Sequence, residues 1–211
     1  MDRIGTLTVG PLATNCYLLG GDKADSIVII DPGDEAELLL DEADEMAGTV
    51  AAILITHGHV DHIAAAAEVQ RATGAKLYVH AADAPMLTRP DPYWASLVGG
   101  VKPCSADVEL ADGDELHLAG VDIRVMHTPG HSPGGVCFVT SEAVFCGDTL
   151  FAGSIGRTDL PGSDHDAMVS SLDRLVSELP DEMLVYPGHG PATTIGEEKT
   201  DNPFIEDLSG W

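Results

Sequence analysis

"ITHGHVDHIA", residues 55–64, places three histidines and an aspartate between positions 57 and 62, directly after the apolar run 50–55 and directly before four alanines at 64–67. The order predicts a buried strand over Val50–His57, a loop rich in metal-binding side chains, and a helix over Asp61–Thr73 closed by Gly74 as its C-cap. In His57-x-His59-x-Asp61-His62, alternate residues of an extended loop point the same way. His57 and His59 therefore face one ion, and Asp61 and His62 face a neighbouring position.

Working outward, other predicted strands also end in a candidate ligand: His131 after residues 122–130, Asp148 after "AVFCG" and His189 after "MLVYPG". Strand ends at one edge of a sandwich converge even when they are distant in sequence. A lone strand-end His is usually a hydrogen-bonded structural residue, and a lone Asp before a helix is usually a cap. The set is what points to metal. His131 completes the first site, His189 completes the second, and the Asp148 carboxylate bridges, leaving room for a shared hydroxide. Glycines at 58, 130, 147, 188 and 190 fit close-approaching backbone in such loops. His80, His117, His127 and His165 have no comparable setting, although His127 keeps the parity of Val121, Ile123 and Val125.

The remaining elements interleave. "SIVIIDPG" reads as a buried strand ending at Asp31, followed by a helix with Leu39, Ala43 and Met46 on one face. "AKLYVH" is a short strand, and residues 81–106, rich in proline, form an irregular or partly helical excursion able to reach over the site. "DELHLAGVDIRVMH" reads as a hairpin, as does "GGVCFVT" with "EAVFCGD". Asp164–Glu178 is helical through Met168, Leu172, Leu175 and Leu179, and "EMLVYPGHG" is a last strand. Without a repeat or composition break, residues 1–211 are expected to form one α/β domain, and the late hairpins argue for a layered α/β sandwich over an all-parallel doubly wound sheet.

The 211 residues carry 35 Asp plus Glu against 10 Lys plus Arg, a formal net charge of −25. Nucleic acid and anionic membrane surfaces are excluded as partners, because neither has a basic track to meet. So acidic a surface is read first as an adaptation to concentrated salt, which screens self-repulsion such as that of Asp41 and Glu45, and second as that of an ordinary acidic cytosolic protein. The N-terminal residues lack the pattern of a signal peptide, so a soluble, cytoplasmic protein is expected. Cys16, Cys104, Cys137 and Cys146 form no CxxC pair, and neither a disulfide nor a cysteine metal site is expected.

"THGHVDH", "HTPGHSPGG", "GDTLF" and "YPGHGP" together resemble the metallo-β-lactamase superfamily over nearly the whole chain. The resemblance implies an αββα sandwich of two mixed β-sheets with a dinuclear site at one edge. It makes His57, His59 and His131 ligands of one metal, Asp61, His62 and His189 ligands of the other, and Asp148 the bridge. "FAGSIGRTDLPGSD" and "VYPGHGPATTIGEEKTDNPF" resemble the short glyoxalase II-like, or hydroxyacylglutathione hydrolase-like, group. Two departures leave the thiol carrier open. The chain ends at Trp211 without a helical C-terminal domain for glutathione contacts, and Gly156-Arg157-Thr158-Asp159 stands where full-length glyoxalase II carries a Lys and Tyr motif. The same tetrapeptide is shared with persulfide dioxygenases, which use one iron held by two histidines and an aspartate.

The expected chemistry is hydrolysis of a small-molecule 2-hydroxyacyl thioester by a metal-bound hydroxide. Two divalent ions lower the pKa of bound water toward about 7, and Asp61 orients the nucleophile and takes its proton. Zn²⁺ suits these ligands, and iron or manganese also fits. Mononuclear persulfide dioxygenation, or hydrolysis of a lactone or other ester, is the alternative. A non-enzymatic protein on this fold would lack a ligand, and none is missing. Arg157 is read either as the anchor for a substrate carboxylate or as an ion-pair partner of Asp159 or Asp164. Asp31 is read first as an Asx turn and second as a partner of a ligating histidine. The oligomeric state is left open.

Overall fold

The run Ile27–Ile30 is fully buried on both faces, with Ile27 and Ile29 packing into a helix-covered layer and Val28 and Ile30 into a core shared with a second sheet. Such two-sided burial explains why it reads as a continuous apolar run rather than an alternating one. The computed structural model describes residues 2–46 and 48–206. Residues 207–211, among them Trp211, where the sequence reading placed the end of the domain, lie outside the described residues.

The first half of the chain runs β1 (Asp2–Val9), β2 (Thr14–Gly21), β3 (Ile27–Ile30), α1 (Ala36–Met46), β4 (Val50–Leu54), α2 (Val60–Ile63), α3 (Ala66–Thr73), β5 (Lys76–His80), α4 (Ala84–Thr88), α5 (Pro92–Leu97) and β6 (Val108–Leu110). These six strands form one sheet in chain order. The β1–β2 and β2–β3 pairs are antiparallel, and the pairs from β3 to β6 are parallel because a helical connection returns the chain each time.

The second half runs β7 (Glu115–Leu118), β8 (Val121–His127), β9 (Val136–Val139), β10 (Ala143–Gly147), β11 (Leu150–Phe151), β12 (Ser154–Ile155), α6 (His165–Glu178), β13 (Leu184–Pro187), β14 (Thr193–Thr194), α7 (Ile195–Asp201) and α8 (Pro203–Glu206). The second sheet has the order β14-β13-β10-β9-β8-β7, and its one parallel pair is β10 with β13, the strands joined through α6. Both predicted hairpins are present.

Three apolar clusters define the layers. Tyr17, Leu19, Val28 and Leu54 of the first sheet meet Val125, Phe138 and Phe145 of the second. Leu39 of α1 and Val69 of α3 cover the outer face of the first sheet, and Met168, Leu172 and Leu175 of α6 cover that of the second. The architecture is thus helix, sheet, sheet, helix, the αββα sandwich of two mixed sheets.

Two local expectations are corrected. The predicted helix Asp61–Thr73 is broken into α2 and α3, because the Ala65 amide bonds to the Pro32 carbonyl at 3.0 Å rather than continuing the helical ladder. Gly74 does cap α3, with φ 69° and its N–H on the Gln70 carbonyl. The strand predicted as the last, β13, is followed by the short β14, and the chain goes on into α7, opened by a capping box between Thr194 and Glu197. All four cysteines are free thiols. Among the described residues no helix is long and apolar enough to cross a membrane.

Candidate metal centre

The parallel strands β3, β4 and β10, β13 end at the same edge of the sandwich, and the loops beyond them bring the predicted ligands together. His57, His59 and His131 offer nitrogen atoms that lie within 4.8 Å of one another, and Asp61, His62 and His189 form a second group under the same limit. Asp148 lies between them. Its Oδ1 is 3.4 Å from His62 Nε2, and its Oδ2 is 3.4 Å from His131 Nε2 and 3.6 Å from His189 Nε2. Oδ2 therefore faces both groups, and Oδ1 faces the second.

Backbone support explains this convergence. The Gly188 amide bonds to the Gly147 carbonyl at 2.8 Å, joining the loop of Asp148 to that of His189. A Cβ on Gly188 would sit 2.2 Å from Asp148 Oδ1, so only glycine lets the two loops approach so closely. On the His131 side, Ser163 donates to the His131 carbonyl at 2.7 Å and the Asp164 amide donates to the Gly130 carbonyl at 2.8 Å, seating the loop on the N-terminus of α6.

The outward nitrogens are fixed by their partners. His131 Nδ1 is 2.9 Å from the Arg157 carbonyl, His189 Nδ1 is 3.2 Å from the Ala13 carbonyl, and His62 Nδ1 is 2.9 Å from Asp31 Oδ2. In each case Nδ1 donates to oxygen, and the Nε2 lone pair is left for the centre. Asp61 Oδ2 accepts from the Thr14 hydroxyl at 3.0 Å and lies 3.2 Å from His189 Nε2. His59 Nδ1 faces His131 Nε2 at 2.8 Å, so here the two rings of one group meet at their donor atoms.

Divalent cations fit this donor set. His57 Nε2, His62 Nε2 and Asp148 Oδ1 are buried without any hydrogen-bond partner. Three such orphans would be costly in a structural cluster, and cations held by the two groups would remove the cost. Electrostatics agree. Burial and the neighbouring histidines push His57 well below the usual imidazole range and His59 down to about 4, so both are neutral ligands at neutral pH. For His62, burial is outweighed by Asp61, Asp148 and Asp31, which raise it, and the negative field that favours a proton on this ring equally favours a cation that displaces it. For Asp61 and Asp148, burial is outweighed by His62 and other nearby histidines, which hold both carboxyls below the ordinary range. Both carboxylates are thus present in ligating form.

The structure brings together His57, His59, Asp61, His62, His131, Asp148 and His189, all the candidate ligands of the sequence reading. It places Arg157 differently. The Arg157 guanidinium is exposed and bonds both oxygens of Asp159, at 2.8 and 2.9 Å, while only its backbone carbonyl enters the site. The preferred sequence reading of Asp31 is corrected. Asp31 is buried, with φ 52°, and its carboxylate binds His62 and Thr56 rather than closing an Asx turn. The role of Thr14 is not legible in the sequence, since a threonine opening a strand carries no signal of a carboxylate 47 residues away. His127 turns out half-buried, stacked on His80 with centroids 4.0 Å apart.

A sequence profile of the metallo-beta-lactamase superfamily matches residues 9–189. The hydroxyacylglutathione hydrolase GloC of Haemophilus influenzae is 36% identical over 215 residues, covering 98% of this chain and 100% of that protein. Among solved structures, BLEG-1 B3 metallo-beta-lactamase superposes with a TM-score of 0.89 at 38% identity, covering 97% of this chain and 99% of the other. TTHA1623 in a di-iron-bound form gives 0.85 at 43%, covering 95% and 99%. ETHE1 from Myxococcus xanthus gives 0.80 at 28%, covering 98% and 90%.

Proposed function

The chain belongs to the metallo-beta-lactamase superfamily, and from that membership we propose that it is a metal-dependent hydrolase of 2-hydroxyacyl thioesters. The observation that carries the reading is the complete donor set, two three-residue groups with Asp148 between them. The similarity to GloC supports the substrate class. His57, His59 and His131 would hold one divalent cation and Asp61, His62 and His189 the other, with Asp148 shared. When bound, such a pair supplies an activated water at neutral pH and polarises a carbonyl. Zinc suits the donors, and the di-iron form of TTHA1623 supports iron as the other occupant.

The chain's own residues do the rest. Asp61, kept ionised by His62 and His189 and aimed by the Thr14 hydroxyl, is the proposed proton acceptor. A thiolate leaving group, with a free-thiol pKa of about 8.5, departs without a general acid, so no further titratable group is required. Arg157 is the proposed anchor for a substrate carboxylate. Its pair with Asp159 lies in solvent, where such pairs hold weakly, so a carboxylate on the substrate can compete for it.

Persulfide dioxygenation is the second reading, favoured by the Gly156–Asp159 tetrapeptide. The test follows thiol release from lactoylglutathione and oxygen uptake with a persulfide in parallel, on protein loaded with zinc or iron. A lactone and a β-lactam complete the panel, the latter because of BLEG-1. Thiol release with about two metal equivalents is expected; oxygen uptake with no thiol release from any thioester would reverse the two readings.

A further inference from the structure

We propose that Asp83, which belongs to neither ligand group, is a positioning residue that clamps the His57–His59 loop to the His131 loop and so sets the cation affinity of that group. The inference rests on reading His57, His59 and His131 as a metal site. Asp83 occupies the N-cap of α4, where an aspartate ordinarily accepts from the first amides of its own helix. It makes no such bond. Instead the fully buried carboxylate turns away from its helix. Its Oδ2 accepts the Gly58 N–H at 2.9 Å and the Ser132 hydroxyl at 2.7 Å, and its Oδ1 accepts the Gly134 N–H at 2.6 Å. Gly58 lies between His57 and His59, and Ser132 follows His131 directly. One side chain thus holds both loops that carry this group.

The packing is arranged for that contact. A Cβ on Gly134 would come within 2.7 Å of Asp83 Cγ, and one on Gly58 would come within 2.7 Å of Met86 Cβ. Each ligand loop has a glycine where the α4 segment presses on it. Among the described residues no lysine or arginine forms an ion pair with Asp83. A buried carboxylate met only by neutral donors is costly unless every donor is in place. Its donors come from 25, 49 and 51 residues away, so the carboxylate is satisfied only when the two loops are in register.

The test substitutes Asp83→Asn, which keeps the volume but turns one acceptor into a donor facing donors. Metal-free protein is titrated with Co²⁺ against a chromophoric chelator, giving an affinity for each group. His189→Ala and His59→Ala backgrounds isolate the His57 and His62 groups respectively. Asp83→Asn is expected to weaken the His57 group about 10- to 100-fold, the range for residues that orient metal ligands, and to leave the His62 group unchanged. Ser132→Ala removes one of the three bonds and is expected to weaken the same group less, guarding against a variant that fails to fold. Unchanged affinity at both groups, or equal loss at both, would overturn the proposal while leaving the metal reading intact. Failure of the unsubstituted protein to bind Co²⁺ would overturn both.

Discussion

Asp31 Oδ2 stands 2.9 Å from His62 Nδ1, and Oδ1 of the same carboxylate takes the Thr56 amide at 2.7 Å. One side chain thus orients a ligand and ties the end of β3 to the segment following β4. Asp31→Ala is expected to lower the metal affinity of the Asp61, His62 and His189 group about 10- to 100-fold. It also leaves the buried Thr56 amide without its acceptor, at about 1–3 kcal/mol of stability. Metal content after dialysis and the melting temperature check the two effects separately.

Asp148 reaches both groups, with Oδ1 near His62 and Oδ2 near His131 and His189. Asp148→Asn is expected to reduce metal content at both, from close to two equivalents, and to abolish thioester hydrolysis. Elemental analysis after exhaustive dialysis decides the matter, and a variant that keeps two equivalents would rule out a bridging role.

Arg157→Ala is expected to lower kcat/KM for a carboxylate-bearing thioester by about 2 kcal/mol, roughly thirtyfold, with metal content unchanged. An uncharged acyl thioester serves as the control, and equal loss on both substrates would assign Arg157 to structure alone.

Arg174 of α6 pairs with Asp112, at 2.8 Å, and with Glu178 one turn along the same helix, also at 2.8 Å. Its hydrogen bonds are the leading cause that holds both carboxyls below their ordinary range. For carboxyls depressed in the folded state, the contribution is present above their unfolded pKa values and is lost as pH falls through the folded ones. Arg174→Met should therefore lower the melting temperature at neutral pH, and the difference from the unsubstituted protein should shrink on acidification below about pH 4. The partial exposure of all three groups keeps the effect modest. A gap independent of pH would point to lost packing of the Arg174 stem instead.

The formal charge of −25 is proposed to reflect adaptation to salt. The melting temperature is expected to rise between about 0.1 M and 1 M salt, over which the Debye length falls from about 10 Å to 3 Å. Indifference to salt across that range would remove the proposal.

Much of this protein is legible in the chain itself. The ligand-bearing loops follow apolar strands directly, so "ITHGHVDHIA" and the stretches ending in His131, Asp148 and His189 locate the candidate donors, and strand–helix alternation with late hairpins signals a layered α/β sandwich. These features are local: side-chain periodicity and ligand identity lie within a few residues of each other. What only the tertiary structure decided is carried by bonds between distant segments. Thr14 aims Asp61, and Asp31 turns from the local Asx reading to orient His62. Asp83 forgoes its own helix for Gly58, Ser132 and Gly134, and Arg157 brings its carbonyl rather than its charge to His131. A buried carboxylate takes whatever donors the packed core presents to it, and which donors those are is settled by the docking of sheets and loops rather than by the residues beside it in the chain.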